Sequence, residues 1–391
     1  MIRHIRITAL AATLALVLAL PAAAFDWKAQ DMASLRGDMS AFVEQFRDNA
    51  RGTRAGRMVR RFERRLTRLD RKDSTAWIGA TLEFTDRLLA KYPPMVDDGG
   101  REAMIRRDIF RLMDYPLHVD NYSENVPENE KAAFDSASGK YTSDARDRAL
   151  AFITGPAPEA GTLAFCKVYN CGFVVRTSER TFLVDVRWDG SADDAAILAG
   201  HSDAFFLTHP HGDHFSPVML QAMENAGKPI ILPCSTLRSY PAASPVVIDR
   251  DVTEPMDIAG VSVLSIFGHQ GADIPNNVYH LSFDGWTMIF QGDNRAWEKQ
   301  AALADYPAAD VIVAPVWTDI KLLFDPALRA EGASENKPVY VTAHENELNH
   351  TVEHRESYWE LFNRGDRLGD PEYDYPPFCI LGIGETFALT K

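Results

Sequence analysis

The sequence predicts an α/β fold of two mixed sheets covered by helices, preceded by an N-terminal helical region. Three observations lead there. Residues 25–152 carry apolar residues at helical spacing between polar joins. A Pro-, Gly- and Ala-rich stretch, "ITGPAPEAG" at 153–161, then interrupts that texture and marks a boundary. Beyond it a strand-rich, helix-interspersed unit occurs twice through residue 391, without a literal sequence repeat or a low-complexity tract.

The chain has 391 residues and 46% apolar content, ample for a large core. Residues 1–24 predict a cleaved export signal: a basic "MIRHIR", the apolar run "ITALAATLALVLAL", then "PAAA" with an Ala-x-Ala ending before Phe25. The apolar run falls short of the ~20 residues of a membrane span. The mature chain is therefore expected to be soluble and secreted, to a bacterial periplasm.

A formal charge of −14, deepened by two when Arg3 and Arg6 leave with the leader, disfavours nucleic acid as a partner. One basic patch, 51–72, runs against this balance. Its Met58, Phe62, Leu66 and Leu69 recur at helical spacing, which predicts an amphipathic helix with arginines on the solvent faces. Contact with a phosphate-bearing or membrane surface is the alternative for that face. "STAWIGATLEFTDRLLAKYPP" and "GREAMIRRDIFRLMDYP" predict helices stopping at Pro93-Pro94 and Pro116, while "PENEKAAFDSASGKYTSDARDRALAF" is a weaker helical pattern.

In the second region "TLAFCKVYN", "CGFVVRTSE" and "RTFLVDVRW" predict three strands, and "DAFFLT" a compact buried one. Ser216-Pro217 opens a helix, "PVMLQAMENAG", with Ser as cap and Pro at the first position. After "KPIILP" and "GVSVLSIFG", the run "NNVYHLSFDGWTMIFQGD" predicts a hairpin turning at Asp284-Gly285. "ADVIVAPVW", "KPVYVTAHE" and "PPFCILGIGETFAL" complete the set. Four cysteines show no metal-type pairing. Export permits a Cys166–Cys171 disulfide, with a buried free thiol as the alternative.

The densest chemistry is "FFLTHPHGDHFSP" (205–217), where His209, His211, Asp213 and His214 sit within six positions after an apolar run. Imidazole and carboxylate ligands suit zinc, and also iron or manganese. One such motif supplies too few ligands for two closed metal sites. His269, Asp293 and His344 each close a predicted strand and are the candidates to complete them at one edge of the sheets.

With those residues assembled, the region from about 160 to 391 resembles the metallo-β-lactamase-fold hydrolases. The resemblance implies an αββα sandwich with a two-metal site between the sheets. His209, His211 and His269 would hold one ion, Asp213, His214 and His344 the other, and Asp293 would bridge them. Asp185, in "TFLVDVRW", would orient a ligand histidine. The Asp at the bridging position departs from the true zinc β-lactamases. It points to the branch with glyoxalase II-like thioesterases, lactonases and phosphodiesterases.

What the resemblance implies is an exported hydrolase in which a hydroxide shared by two divalent ions cleaves an ester, lactone, thioester or phosphodiester of a small or lipid-like molecule. Asp213 would be central to catalysis. His350 is the candidate leaving-group acid, expected with His354 on one face of a helix after His344. Of Tyr279 and His280 only one can face the site, and packing is the favoured role for both. Asn276 and Asn277 either shape the pocket or make a turn. A mono-iron redox enzyme and a non-catalytic metal-binding module are the alternatives.

Overall fold

The computed structural model describes residues 32–69, 73, 75–124, 126–234, 245–271, 274–318, 323, 338–364 and 377–391. The leader at 1–24 lies outside them.

Two seven-stranded sheets face one another. In the first, the order is β14 (Thr386–Thr390), β1 (Thr162–Tyr169), β2 (Gly172–Arg176), β3 (Thr181–Val184), β4 (Ala204–Phe206), β5 (Ile230–Leu232) and β6 (Val246–Val247). The second runs β13 (Phe378–Cys379), β12 (Val339–Ala343), β11 (Val311–Pro315), β10 (Trp286–Phe290), β9 (Ile274–Phe283), β8 (Val261–Gln270) and β7 (Val252–Ile258). Starting from β14 or from β7, each sheet has three antiparallel pairings and then three parallel ones. The unit read twice in sequence is thus repeated as strand topology. The hairpin at Asp284-Gly285 forms as a two-residue turn with both residues at positive φ, and Phe283 pairs with Trp286.

Strands buried on both faces read as continuous apolar runs, and β2, β4, β5 and β11 are buried throughout. The cluster between the sheets includes Phe173, Phe206, Tyr279, Phe290 and Val313. Outside the first sheet pack α6 (Ala192–His201), α7 (Pro217–Asn225) and the end of α5 (Glu128–Thr154). Ser216 holds the expected cap position of α7, but its hydroxyl accepts from the Trp188 amide instead.

The outer layer of the second sheet is the N-terminal region. Helices α1 (Met32–Asn49), α2 (Arg54–Leu69), α3 (Ala76–Leu89) and α4 (Arg101–Leu117) share one buried cluster with Ile289, Ile312 and Tyr340 of that sheet. Phe62 of α2 stacks on Phe84 of α3 with centroids 4.1 Å apart, and its neighbours Arg47 and Arg65 pair with Glu63 and Glu83. The basic patch is therefore an amphipathic helix whose apolar stripe is used internally. Among the described residues no helix is long and apolar enough to cross a membrane.

Two local expectations differ. The weakly patterned 128–154 segment forms the longest of the described helices, because Phe134, Ser138, Tyr141, Ala145, Ala149 and Ile153 make a narrow buried stripe in which small residues sit among large ones. Conversely, 345–357 forms no α-helix. Val352–His354 is a single 3-10 turn, and the next helix, α8 (Tyr358–Arg364), starts afterwards. The reason is Arg355, buried and bonded to carbonyls of the N-terminal region, which takes this segment away from helical geometry.

Candidate metal centre

The strand ends place the ligands. His209, His211, Asp213 and His214 follow β4, Asp293 follows β10, and His344 follows β12. These are parallel strands or their neighbours, so their carboxyl ends open at one edge of the sandwich, where α/β sites form. His344 has φ +68° and Asp185 has φ +49°, left-handed conformations held at the site. Gly292, with φ +55°, precedes Asp293. A Cβ there would lie 2.5 Å from Thr208 Oγ1 and 2.6 Å from Asn276 Oδ1, so only glycine lets the Asp293 loop approach so closely.

Asp213, His214, Asp293 and His344 form one buried group of ligand atoms within 4.8 Å of one another, and His209, His211 and Asp213 form a second. The edges of the first can be traced. His214 Nε2 lies 3.3 Å from Asp213 Oδ2 and 3.6 Å from Asp293 Oδ1. His344 Nε2 lies 3.4 Å from Asp213 Oδ2 and 3.4 Å from Asp293 Oδ2. His209 Nε2 is 3.6 Å from that same Asp293 oxygen. Ligands bound tetrahedrally at ~2.0–2.1 Å lie roughly 3.3–3.4 Å from one another, which three of the four separations in the first group match. The Nε2 atoms of His209 and His214 and Oδ1 of Asp293 are buried with no hydrogen-bond partner. Orphaned lone pairs of this kind are costly unless an ion takes them.

Surrounding groups fix the ligands. Asp185 Oδ2 accepts from His214 Nδ1 at 2.8 Å, which turns Nε2 toward the cluster. Asp185 is itself held by the amide and hydroxyl of Thr208, at 2.7 and 2.6 Å. Asn170, at positive φ in the β1–β2 turn, donates to Asp213 Oδ2 at 2.7 Å. Gln270 donates to Asp293 Oδ2 at 2.8 Å, and Asn276 Oδ1 accepts from the Asp293 amide at 2.9 Å. Trp317 meets the His344 ring edge-on, with centroids 4.2 Å apart.

Of the expected ligands, His269 stands in neither group. It lies inside β8, paired with Pro275, so pleat alternation fixes its direction, and it is Gln270 that reaches Asp293. Its Nδ1 is nonetheless buried without a partner. The His350 ring lies 5.7 Å from that of His344, brought there by a turn instead of the expected helix. His354 is exposed. Tyr279 donates to Leu207 O, and His280 Nε2 contacts Pro307 O at 2.7 Å, so both serve packing. Asn276 and Asn277 serve the loops: the Asn277 amide donates to Thr208 O, tying the second sheet to the His209 turn. Cys166 and Cys171 are free and buried. Burial pushes the Cys171 thiol well up, and Asp293, Asp185 and Asp213 nearby add to the effect. Asn170 and Gln270 went unnoticed in the sequence because single amides carry no spacing pattern.

Proton bookkeeping follows from the charges. Burial opposes a charge on His344, but Asp293 and Asp213 outweigh it and raise the imidazole to about 9. Burial likewise opposes His214, which Asp213, Asp185 and Asp293 lift well above its ordinary value. Burial and then the His214 charge hold His209 well below its own. Without a cation at pH 7, His214 and His344 therefore carry protons that an incoming ion must displace. Affinity for the ion is expected to rise with pH until about 9 and to fall in acid. Calorimetry in buffers of different protonation heat should register release of about two protons on loading. Ion uptake without proton release would contradict this assignment.

These elements give the architecture its name. It is an αββα sandwich, two facing seven-stranded sheets with helices packed outside each. No protein-family model matches the chain, and no curated protein does. Solved structures similar to it include Igni18, a metallo hydrolase from the hyperthermophilic archaeon Ignicoccus hospitalis. That likeness has 16% identity and a TM-score of 0.44, covering 59% of this chain and 99% of that one. The metallo-β-lactamase fold protein YhfI of Bacillus subtilis is 12% identical with a TM-score of 0.40, over 59% of this chain and all of that one. CmlA, a diiron β-hydroxylase of Streptomyces venezuelae, is 16% identical with a TM-score of 0.42, over 68% of this chain and 58% of that one.

Proposed function

We propose that the protein is a metal-dependent hydrolase that holds two divalent ions, zinc first among the candidates, and cleaves an ester, lactone, thioester or phosphodiester. One observation carries the reading. Asp213, His214, Asp293 and His344, brought from three distant stretches, gather buried ligand atoms within 4.8 Å of one another, with nitrogen–oxygen separations of 3.3 to 3.6 Å. In the proposal Asp213, His214 and His344 would hold one ion, His209 and His211 the other, and Asp293 would serve both; His269, which stands in neither group, would join the second only by turning its ring toward it. Ions there supply Lewis acidity and a nucleophilic water at neutral pH.

The chain's own groups prepare that chemistry. Asp185 keeps the proton of His214 on Nδ1, so Nε2 presents its lone pair to the cluster. Asn170 and Gln270 hold the two carboxylates by one oxygen each, which limits their swing. His350, half-buried with its ring 5.7 Å from that of His344, would give a proton to the leaving atom. Export to a periplasm is part of the proposal and is supported by the layout of residues 1–24.

The test is a panel of bis-(p-nitrophenyl) phosphate, lactones, thioesters and p-nitrophenyl esters, run on the metal-loaded protein. Turnover of at least one class is expected, together with loss of that turnover on chelation and its return with zinc. Inertness of the loaded protein toward every class would favour a binding module. Oxygen consumption with bound iron would favour a redox enzyme instead.

A further inference from the structure

We propose that a cavity beside the metal cluster recognises the non-reacting end of the substrate, and that it selects an organic anion with a compact apolar body. The inference rests on the hydrolytic reading for the fate of the ligand, but not for its binding. The cavity measures about 310 Å³, in the range of small-molecule sites. One wall is the N-terminal region, with Phe134, Gly139 and Arg146 of α5 and Tyr122 of the loop after α4. The facing wall is Tyr169 at the end of β1, with Leu348 and Asn349.

The two walls lead into the metal centre. Tyr169 is followed by Asn170, which donates to Asp213, and Asn349 is followed by His350, beside His344. The Tyr169 hydroxyl joins the sides, donating to Glu347 Oε1 at 2.8 Å and accepting from the Leu348 amide at 2.9 Å. In the proposal a ligand seated here extends its reacting end past Asn170 and His350 to the cluster.

The charges in the lining point to an anion. Asp189 is paired with Arg187 at 2.9 Å, and Asp135 accepts from Asn121 Nδ2 at 3.3 Å. Arg146 is half-buried and makes no ion pair among the described residues. Among those residues it is the cation of the lining without an ion-pair partner, as Asp135 is the carboxylate without one, and its planar fork suits a carboxylate or a phosphate. Phe134 and Leu348 provide the apolar surface, and Tyr122, 49% exposed, stands at the mouth. Within this layout the N-terminal helices are half of the specificity pocket.

The experiment uses p-nitrophenyl monoesters of linear dicarboxylic acids and the matching neutral n-alkanoate esters, with the metal-loaded full chain. The wild type should prefer the anionic series. Arg146→Gln should raise KM for the anionic esters about tenfold, the worth of one charge-assisted contact, with kcat and the neutral esters unchanged. Arg146→Lys should retain part of the preference. Gly139→Leu should raise KM for both series by filling the cavity, since a Cβ at Gly139 meets nothing within 4 Å and the change favours the helix. Equal KM values for the two series, or an unchanged preference in Arg146→Gln, would overturn the pocket and leave the hydrolase intact. If neither series is cleaved, the bond is of another class or the hydrolytic reading fails on the wider panel, and calorimetry with phenylbutyrate and phenylbutyramide decides the pocket by itself. Tighter binding of the acid, lost in Arg146→Gln, supports it; equal or absent binding removes it.

Discussion

Asp213→Ala is expected to abolish turnover, by about a thousandfold or more, while the chain remains folded. The magnitude follows from what the residue does. Oδ2 of Asp213 faces both His214 Nε2 and His344 Nε2, at 3.3 and 3.4 Å, so it supplies two edges of the tighter ligand group. It belongs to the second group as well. Its removal also takes away a negative charge that lifts His214 and His344, so their protons loosen while the cluster loses one of its two carboxylates. Losing one carboxylate from a catalytic ion site removes the Lewis acid and the nucleophile together, and such losses are measured in orders of magnitude. The fold should survive, because Asp213 lies on a turn and its contacts are polar groups of the site, not the apolar core. Metal content, far-ultraviolet circular dichroism and kcat/KM on the same preparation provide the check. A folded Asp213→Ala variant with near-native turnover would remove Asp213 from the mechanism.

Arg355→Ala is expected to lower stability by about 3 kcal/mol or more, because several buried carbonyl oxygens lose their donor at roughly 1–3 kcal/mol each. Its guanidinium donates to Leu117 O at 2.7 Å, Val119 O at 3.2 Å, Asn121 Oδ1 at 2.7 Å and His350 O at 2.9 Å. It also lies over the Phe134 ring, 5.2 Å from the centroid. One side chain thus ties the end of α4, the Tyr122 loop and the His350 turn together. A second clamp lies nearby: buried Asp114 of α4 accepts from Asn346 Nδ2 and from the Tyr358 and Trp359 amides. Burial raises Asp114 to about 8, against the pull of those donors. Both clamps bear on residues 346–359, so the N-terminal helices determine where His344 and His350 stand. Arg355→Lys should recover little, because an ammonium cannot span four acceptors in a plane. Urea unfolding measures the loss, and a drop below about 1 kcal/mol, the level of an exposed pair, would show that the clamp is dispensable.

The ligand set was the most legible part of the sequence. A run such as His209-x-His211-x-Asp213-His214 is local, and Asp293 and His344 betray themselves by closing apolar strands. Strand ends of parallel sheets leave side chains free to turn to one edge, and these six side chains do lie together there. His269 looked the same in sequence but lies within an antiparallel pair, where the pleat decides its direction. That information resides in the partner strand. The His350 segment reads as helix by spacing, yet Arg355 spends its bonds on α4 and the Tyr122 loop, 230 residues or more away in the chain. The repeated strand unit was visible because both halves bury their faces in the same order. The covering of the second sheet by α1–α4 was not, since an apolar helix face does not name what it covers.

Metal stoichiometry tests the central claim most directly. Elemental analysis of the purified protein, after dialysis against metal-free buffer and reloading, is expected to find two divalent ions per chain, with His344→Ala and Asp293→Ala reduced. A wild-type chain that is folded by circular dichroism yet takes up no ion would contradict the reading of these seven side chains as ligands.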